Sequence, residues 1–161
     1  IFQIIRIKYP VQHIPNGMRM PTGYDLLEHN HEFRMHMLKR FAASVVDSVL
    51  VFIPVTLLVF LLDLGPKELL TGVLSGFCWF VYAAIAESRT GTTVGKRAMK
   101  LVVVSKDGPM TFSKGIVRNV PKMFWYIFLP LDVLVGLSAN GDPRQRWVDI
   151  VATTTVVKRV D

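Results

Sequence analysis

Three apolar blocks divide the chain, at residues 41–62, 69–86 and 120–139. The first two are nearly free of charge and close to the length of roughly 20 residues that carries a helix across a bilayer. A water-soluble helix or strand would interrupt such blocks with polar positions at its own period. The pattern therefore predicts two membrane-spanning helices. Between them, "LDLGPKE" places Gly65 and Pro66 where the chain turns back. The third block, "VPKMFWYIFLPLDVLVGLSA", is different, because it carries Pro121, Pro130 and Asp132. Pro130 removes a helical hydrogen bond and is predicted to kink or break a helix there.

Polar chain fills the gaps. Residues 2–7 alternate apolar and basic positions, and Pro10, Pro15 and Pro21 follow, the pattern of a short strand and a Pro-rich linker. Thr22 or Asp25 is placed to cap a helix through "YDLLEHNHEFRMHMLKR". Its Leu26, Leu27, Phe33, Met37 and Leu38 are compatible with one face, which predicts an interfacial amphipathic helix leading into the first span. The chain thus divides into an N-terminal arm, 1–38, and a transmembrane domain, 39–161. Beyond the second block, "LVVVSKDGPMTF" reads as strand, turn and strand around Asp107-Gly108, and "TTTVV" at 153–157 reads as a third strand.

Charge orients these segments. The chain has 161 residues and a formal charge of +7. Lys39 and Arg40 precede the first span, and Arg89, Lys96, Arg97, Lys100, Lys106, Lys114 and Arg118 follow the second. The turn between the spans holds one cation, Lys67. The positive-inside rule puts the N-terminus and residues 87–118 in the cytoplasm of a multi-pass cell-membrane protein. The tail cations Arg144, Arg146, Lys158 and Arg159 favour the same side. The third block then dips in and returns or lies partly flat, or else it is an ordinary kinked span; both readings stay open. The fold class is an all-α integral membrane protein with two to three transmembrane helices, the third re-entrant or kinked, and a small cytoplasmic β-element.

Candidate chemistry lies mostly in or beside the apolar blocks. Asp47 sits about 10 Å deeper than Arg40 along the first span, at 1.5 Å per residue. An aspartate at membrane depth costs about 3 kcal/mol by insertion scales, so it needs a partner or a function. Asp132 beside Pro130 is either an ion-site carboxylate on a broken helix or a cap of the restarted helix. Gly72 and Gly76, four apart, would let another helix approach closely. Cys78 is the single cysteine, so no internal disulfide forms, and it reads as a packing residue. His29, Glu32 and His36 fall near one helical face but gain no second ligand cluster, so no metal is expected. "GTTVGKR" has the wrong spacing for a phosphate loop, and no nucleophile–base order stands out, so neither a cofactor nor an enzyme is expected. The basic surface already has a partner in the lipid bilayer, which leaves nucleic acid out. The sequence begins at Ile1, as a cleaved or partial chain would, with no signal-peptide pattern.

These residues together resemble the RDD family of membrane proteins, named for an arginine and two aspartates. Arg40 and Asp47 fit in "RFAASVVD", Gly95-Lys96-Arg97 and Asp107-Gly108 fit in "TVGKRAMKLVVVSKDG", Arg118-Asn119 enters the third block, and Arg146 and Asp149 fit in "RQRWVDIVATTTVV". The resemblance spans roughly 40–157 and departs at Lys100, where a glycine is expected. It implies a structural ion-pair network of Arg40, Asp47, Arg97, Arg118, Arg146 and Asp149. Side chains lean toward a helix N-terminus, so Arg40 is predicted to snorkel to the headgroups, and Arg146, Arg118 and Arg97 are the candidate partners of Asp47. Two functions follow. One is a non-catalytic membrane subunit packing against other integral membrane subunits. The other is a small homo-oligomeric cation or proton exchanger with Asp47 and Asp132 as ion-binding carboxylates.

Overall fold

The structure is a computed structural model that describes residues 22–138 and 145–159. The strand expected over 2–7, and Arg144, lie outside the described residues. Helix α1, Gly23–His29, opens on a reciprocal cap: Thr22 accepts from the Asp25 amide at 3.4 Å, and the Asp25 carboxylate accepts from the Thr22 amide at 2.8 Å. The two residues that competed as caps in the sequence are the two halves of one device. The helix stops at Asn30, whose side chain accepts from the Phe33 amide at 3.0 Å and starts α2, His31–Leu61. The single amphipathic helix expected ahead of the first span is therefore broken at Asn30, and its second half runs into the span without interruption. With 31 residues α2 is about 45 Å long, more than the bilayer core of about 30 Å, so its ends project beyond it.

Helix α3, Lys67–Thr90, returns antiparallel and ends at Gly91, whose φ of 68° gives the left-handed cap that glycine adopts without strain. Next come α4, Val94–Ala98, and β1, Leu101–Ser105. After them run α5, Phe112–Met123, α6, Phe128–Ser138, α7, Trp147–Val151, and β2, Thr154–Lys158. Strands β1 and β2 pair antiparallel, with Val103 opposite Val156. Among the described residues the sheet has two strands, not the three read from the sequence. "MTF" does not extend it, because Thr111 accepts from the Lys114 amide at 3.4 Å and starts α5 with Phe112 as its first residue. A small apolar core of Ala43, Leu101, Val103 and Val156 seats the sheet on α2.

The third block is two helices, α5 and α6, set at 116° to each other. Their break covers 124–127, upstream of Pro130. Pro130 falls in the first turn of α6, where its missing N–H forfeits no helical bond, so it does not cause the break. Strand β1 precedes the block and β2 follows it, and the two are paired. The block therefore leaves one end of the molecule and comes back to it.

Two glycines bring α5 onto α3. A Cβ at Gly76 would strike the Met123 carbonyl, and one at Gly115 would stand 2.9 Å from the Ala84 carbonyl. Gly72, the other half of the predicted packing pair, has nothing within 4 Å and faces open space. Cys78 is exposed rather than packed inside.

Lys100, where the resemblance called for glycine, has a φ of 54°. A left-handed conformation costs a residue with a Cβ about 1 kcal/mol. Lys100→Gly is expected to raise the thermal unfolding midpoint of the detergent-solubilised protein, with a stabilisation of up to about 1 kcal/mol. A lowered midpoint would show that contacts of the lysine side chain outweigh the strain.

Candidate functional site

At the end of the molecule opposite the 62–66 turn, ionisable side chains from α2, α3, α4, α5, α6 and α7 converge. Arg118 is at its centre, with no exposed surface. Its Nε lies 2.6 Å from Glu87 Oε2 and its Nη2 lies 3.2 Å from Asp149 Oδ1. Both contacts are ion pairs without hydrogen-bond alignment, while Nη1 donates to Thr154 Oγ1 at 2.8 Å. One guanidinium thus ties the end of the second span to α7 and β2.

Each buried carboxylate then collects further donors. Glu87 pairs with Lys96, accepts from Asn119 Nδ2 at 3.0 Å and has Lys122 Nζ 3.9 Å away. Asp149 accepts from Arg40 Nη2 at 2.9 Å and lies 3.3 Å from Arg146 Nη2. It also accepts from the Arg146 amide at 3.2 Å, which closes the start of α7. Arg146 reaches on to Asp132 with its Nη1 at 3.4 Å. Arg40 pairs with Asp149, 109 residues along the chain.

Asp47 is held by a different device. Its Oδ2 accepts from Thr93 Oγ1 at 2.5 Å, and its Oδ1 accepts from the Gly95 amide at 2.8 Å and from the Tyr82 hydroxyl at 3.2 Å. Thr93 and Gly95 start α4, while Tyr82 reaches in from α3, so Asp47 caps that short helix from a neighbouring element. Among the described residues no arginine or lysine comes within ion-pair distance of it. The arginine partner foreseen in Arg146, Arg118 or Arg97 is not what the chain uses, and Arg97 is exposed and outside the network. The reason is steric: Gly95 lets α4 lie directly on the Ala43 carbonyl, which brings the Gly95 amide to Asp47. Asp132 acts likewise, accepting from the Val148 amide of α7 at 2.9 Å. It caps α7 rather than its own helix.

The sequence missed Glu87 and Lys122 as members of the network. Glu87 reads as the first residue of the polar stretch, and Lys122 lies just inside the third block. A usable signal was present in both cases: each is an ionisable group at the edge of an apolar block, where an unpaired charge is costly.

Among the described residues, two helices long and apolar enough to span, a third block that bends back, and a buried charge network at one end define a polytopic helical membrane protein. The chain belongs to the RDD family, whose profile matches residues 34–153 and so takes in Arg40, Asp47, Arg118, Arg146 and Asp149. Comparisons with curated proteins and with solved structures return no match.

Two predictions test the network. Removing one partner of a buried pair costs about 3–5 kcal/mol, because a charge is left buried and unpaired. Arg118→Met is expected to destabilise by about that amount, and by less in the Glu87→Gln background, as a double-mutant cycle on thermal unfolding would read. The second concerns pH. Burial pushes the Asp149 carboxyl up, but Arg118, then Arg146 and Arg40, more than offset it and hold it well below the usual carboxylate range. With the folded value below the unfolded one, its stabilisation is complete above the ordinary range and is lost only as pH falls through the depressed value. The Asp149 contribution should therefore persist at mildly acidic pH. The pH at which stability falls should move up in Arg118→Met, and an unchanged profile would show that Arg118 does not set the Asp149 charge.

Proposed function

We propose that this protein is a non-catalytic integral subunit of a larger assembly in the cell membrane, with its N-terminus and ion-pair end in the cytoplasm. The observation that carries the reading is the state of its membrane-depth carboxylates. Asp47 is spanned by three donors, and Asp132 by Arg146 and the Val148 amide. An exchanger needs a carboxylate that faces a path and changes partners; these two instead fasten α4 to the first span and α7 to α6. Neither lines the large cavity beside α2. An attachment surface is also present. The most apolar window of α2 is 11% buried, and Gly72 on α3 has an open approach for a helix of a partner subunit. The cytoplasmic assignment rests on the cations that surround the ion-pair end, against one lysine in the 62–66 turn and its flanks.

Purification in mild detergent followed by intact-complex mass spectrometry tests this. A stoichiometric set of other subunits is the expected result. Asp47→Asn should then destabilise the protein and weaken its retention in the complex. A bare homo-oligomer that catalyses sodium or proton flux in liposomes, with flux abolished and folding intact in Asp47→Asn, would overturn the reading in favour of exchange.

A further inference from the structure

A cavity of about 1140 Å³ lies between α2 on one side and α5 with α6 on the other. Its lining is of two kinds. At the ion-pair end it is cationic, with Arg34, Arg40, Lys96, Lys122 and Arg146. Away from that end it is apolar, with Val45, Val49 and Ile53 of α2 facing Leu129 and Val133 of α6. From Arg40 to Ile53 the α2 wall runs about 20 Å, at 1.5 Å per residue, comparable to an extended acyl chain.

Among the described residues, Arg40, Lys96, Arg118, Lys122 and Arg146 share the carboxylates of Glu87, Asp132 and Asp149. Lys122 is the most loosely held of these cations. The residue is 4% exposed and lines the cavity, yet its ammonium makes no hydrogen bond among the described residues. Its nearest carboxylate oxygen is 3.9 Å away, and it stands 5.3 Å from the centre of the Trp79 ring. The Trp79 indole nitrogen is buried without an acceptor among the described residues, and Trp79 lines the same cavity. A loosely paired ammonium and a buried indole N–H beside one cavity suit an anion with acceptor oxygens.

We propose that the cavity is a binding site for one anionic phospholipid of the surrounding bilayer. The headgroup phosphate sits against Lys122, Lys96, Arg146 and the rim residue Arg34, and an acyl chain lies along α2 against α6. Basic pockets between membrane helices take anionic headgroups for this electrostatic reason. A free anion would answer the charge and leave the apolar wall empty, and an apolar helix would fill the wall and leave the cations bare. A lipid answers both. This inference is independent of the accessory-subunit reading, since it holds for a free or an assembled chain.

The test is native mass spectrometry of the full chain in mild detergent, titrated with phosphatidylglycerol or with phosphatidylcholine of the same acyl chains. One phosphatidylglycerol should be retained in preference to phosphatidylcholine. Lys122→Met should reduce that retention about fivefold, the effect of one cation near a headgroup. Should that variant misfold, exposed Arg34→Gln probes the rim charge, and Val49→Trp fills the apolar wall and should lower retention of both lipids. A phosphatidylglycerol with a photoreactive acyl tail should label α2 or α6 of the unmodified protein near Val49–Ile53 or Leu129–Val133. Equal retention of the two lipids, or labelling confined to other helices, would overturn the proposal. Displacement of phosphatidylglycerol by excess inorganic phosphate alone would also overturn it, by assigning the cations to a free anion.

Discussion

Arg118 is the residue on which the rest of this structure hangs. Its guanidinium has no exposed surface and touches Glu87 of α3, Asp149 of α7 and Thr154 of β2. Those three groups come from parts of the chain that share no continuous apolar face. A buried charge left alone is strongly destabilising, and besides Glu87 the tail supplies Arg118 with a second carboxylate, Asp149, and a hydroxyl acceptor, Thr154. Gly115, one turn before Arg118, makes that packing close enough by seating α5 against the Ala84 carbonyl. Glycine contact and ion pair are therefore one arrangement: the first sets the distance, and the second gives it specificity.

The two aspartates in the apolar blocks solve their desolvation problem in the same way. Each takes one backbone amide from the first turn of a five-residue helix in a polar segment, Gly95 of α4 for Asp47 and Val148 of α7 for Asp132. Helices this short are unstable alone, because nucleation fixes several residues before it gains a hydrogen bond. A carboxylate at their N-termini supplies an acceptor for otherwise unpaired donors and a favourable interaction with the helix dipole. The polar segments and the spans thus stabilise each other. The connections that would otherwise wander at the membrane surface become parts of the folded core.

The same arrangement accounts for the cavity beside α2. The break at 124–127 and the 116° bend carry α6 away from an antiparallel course, so it meets α2 only at a distance. The contacts of α1 with Leu137, through Gly23, then close the ion-pair end without filling the space behind it. Cations recruited to pair with Glu87, Asp132 and Asp149 consequently line one end of an apolar volume.

Much of this architecture is legible in the amino-acid order. Runs such as "FAASVVDSVLVFIPVTLLVFLL" can only be buried in lipid or protein, because nothing in them can meet water at a regular period. They specify the spans, the turn between them and the membrane class, and the motif order from Arg40 to Asp149 specifies the family. The sequence also required that Asp47 be satisfied, since a carboxylate at that depth cannot stand alone. It could not say by what. Whether an arginine side chain or a helix N-terminus reaches Asp47 depends on how closely two backbones approach at Gly95 and Ala43, a distance that no local pattern encodes. The same holds for the strand expected at "MTF", which became the start of α5, and for Pro130, which moved from a breaker to a first-turn residue once the break settled four residues or so upstream. Local chemistry determined which groups had to be buried and paired. Only the packing of six elements around Arg118 decided which pairs they made, because pairing is a property of distances across the fold and not of positions along the chain.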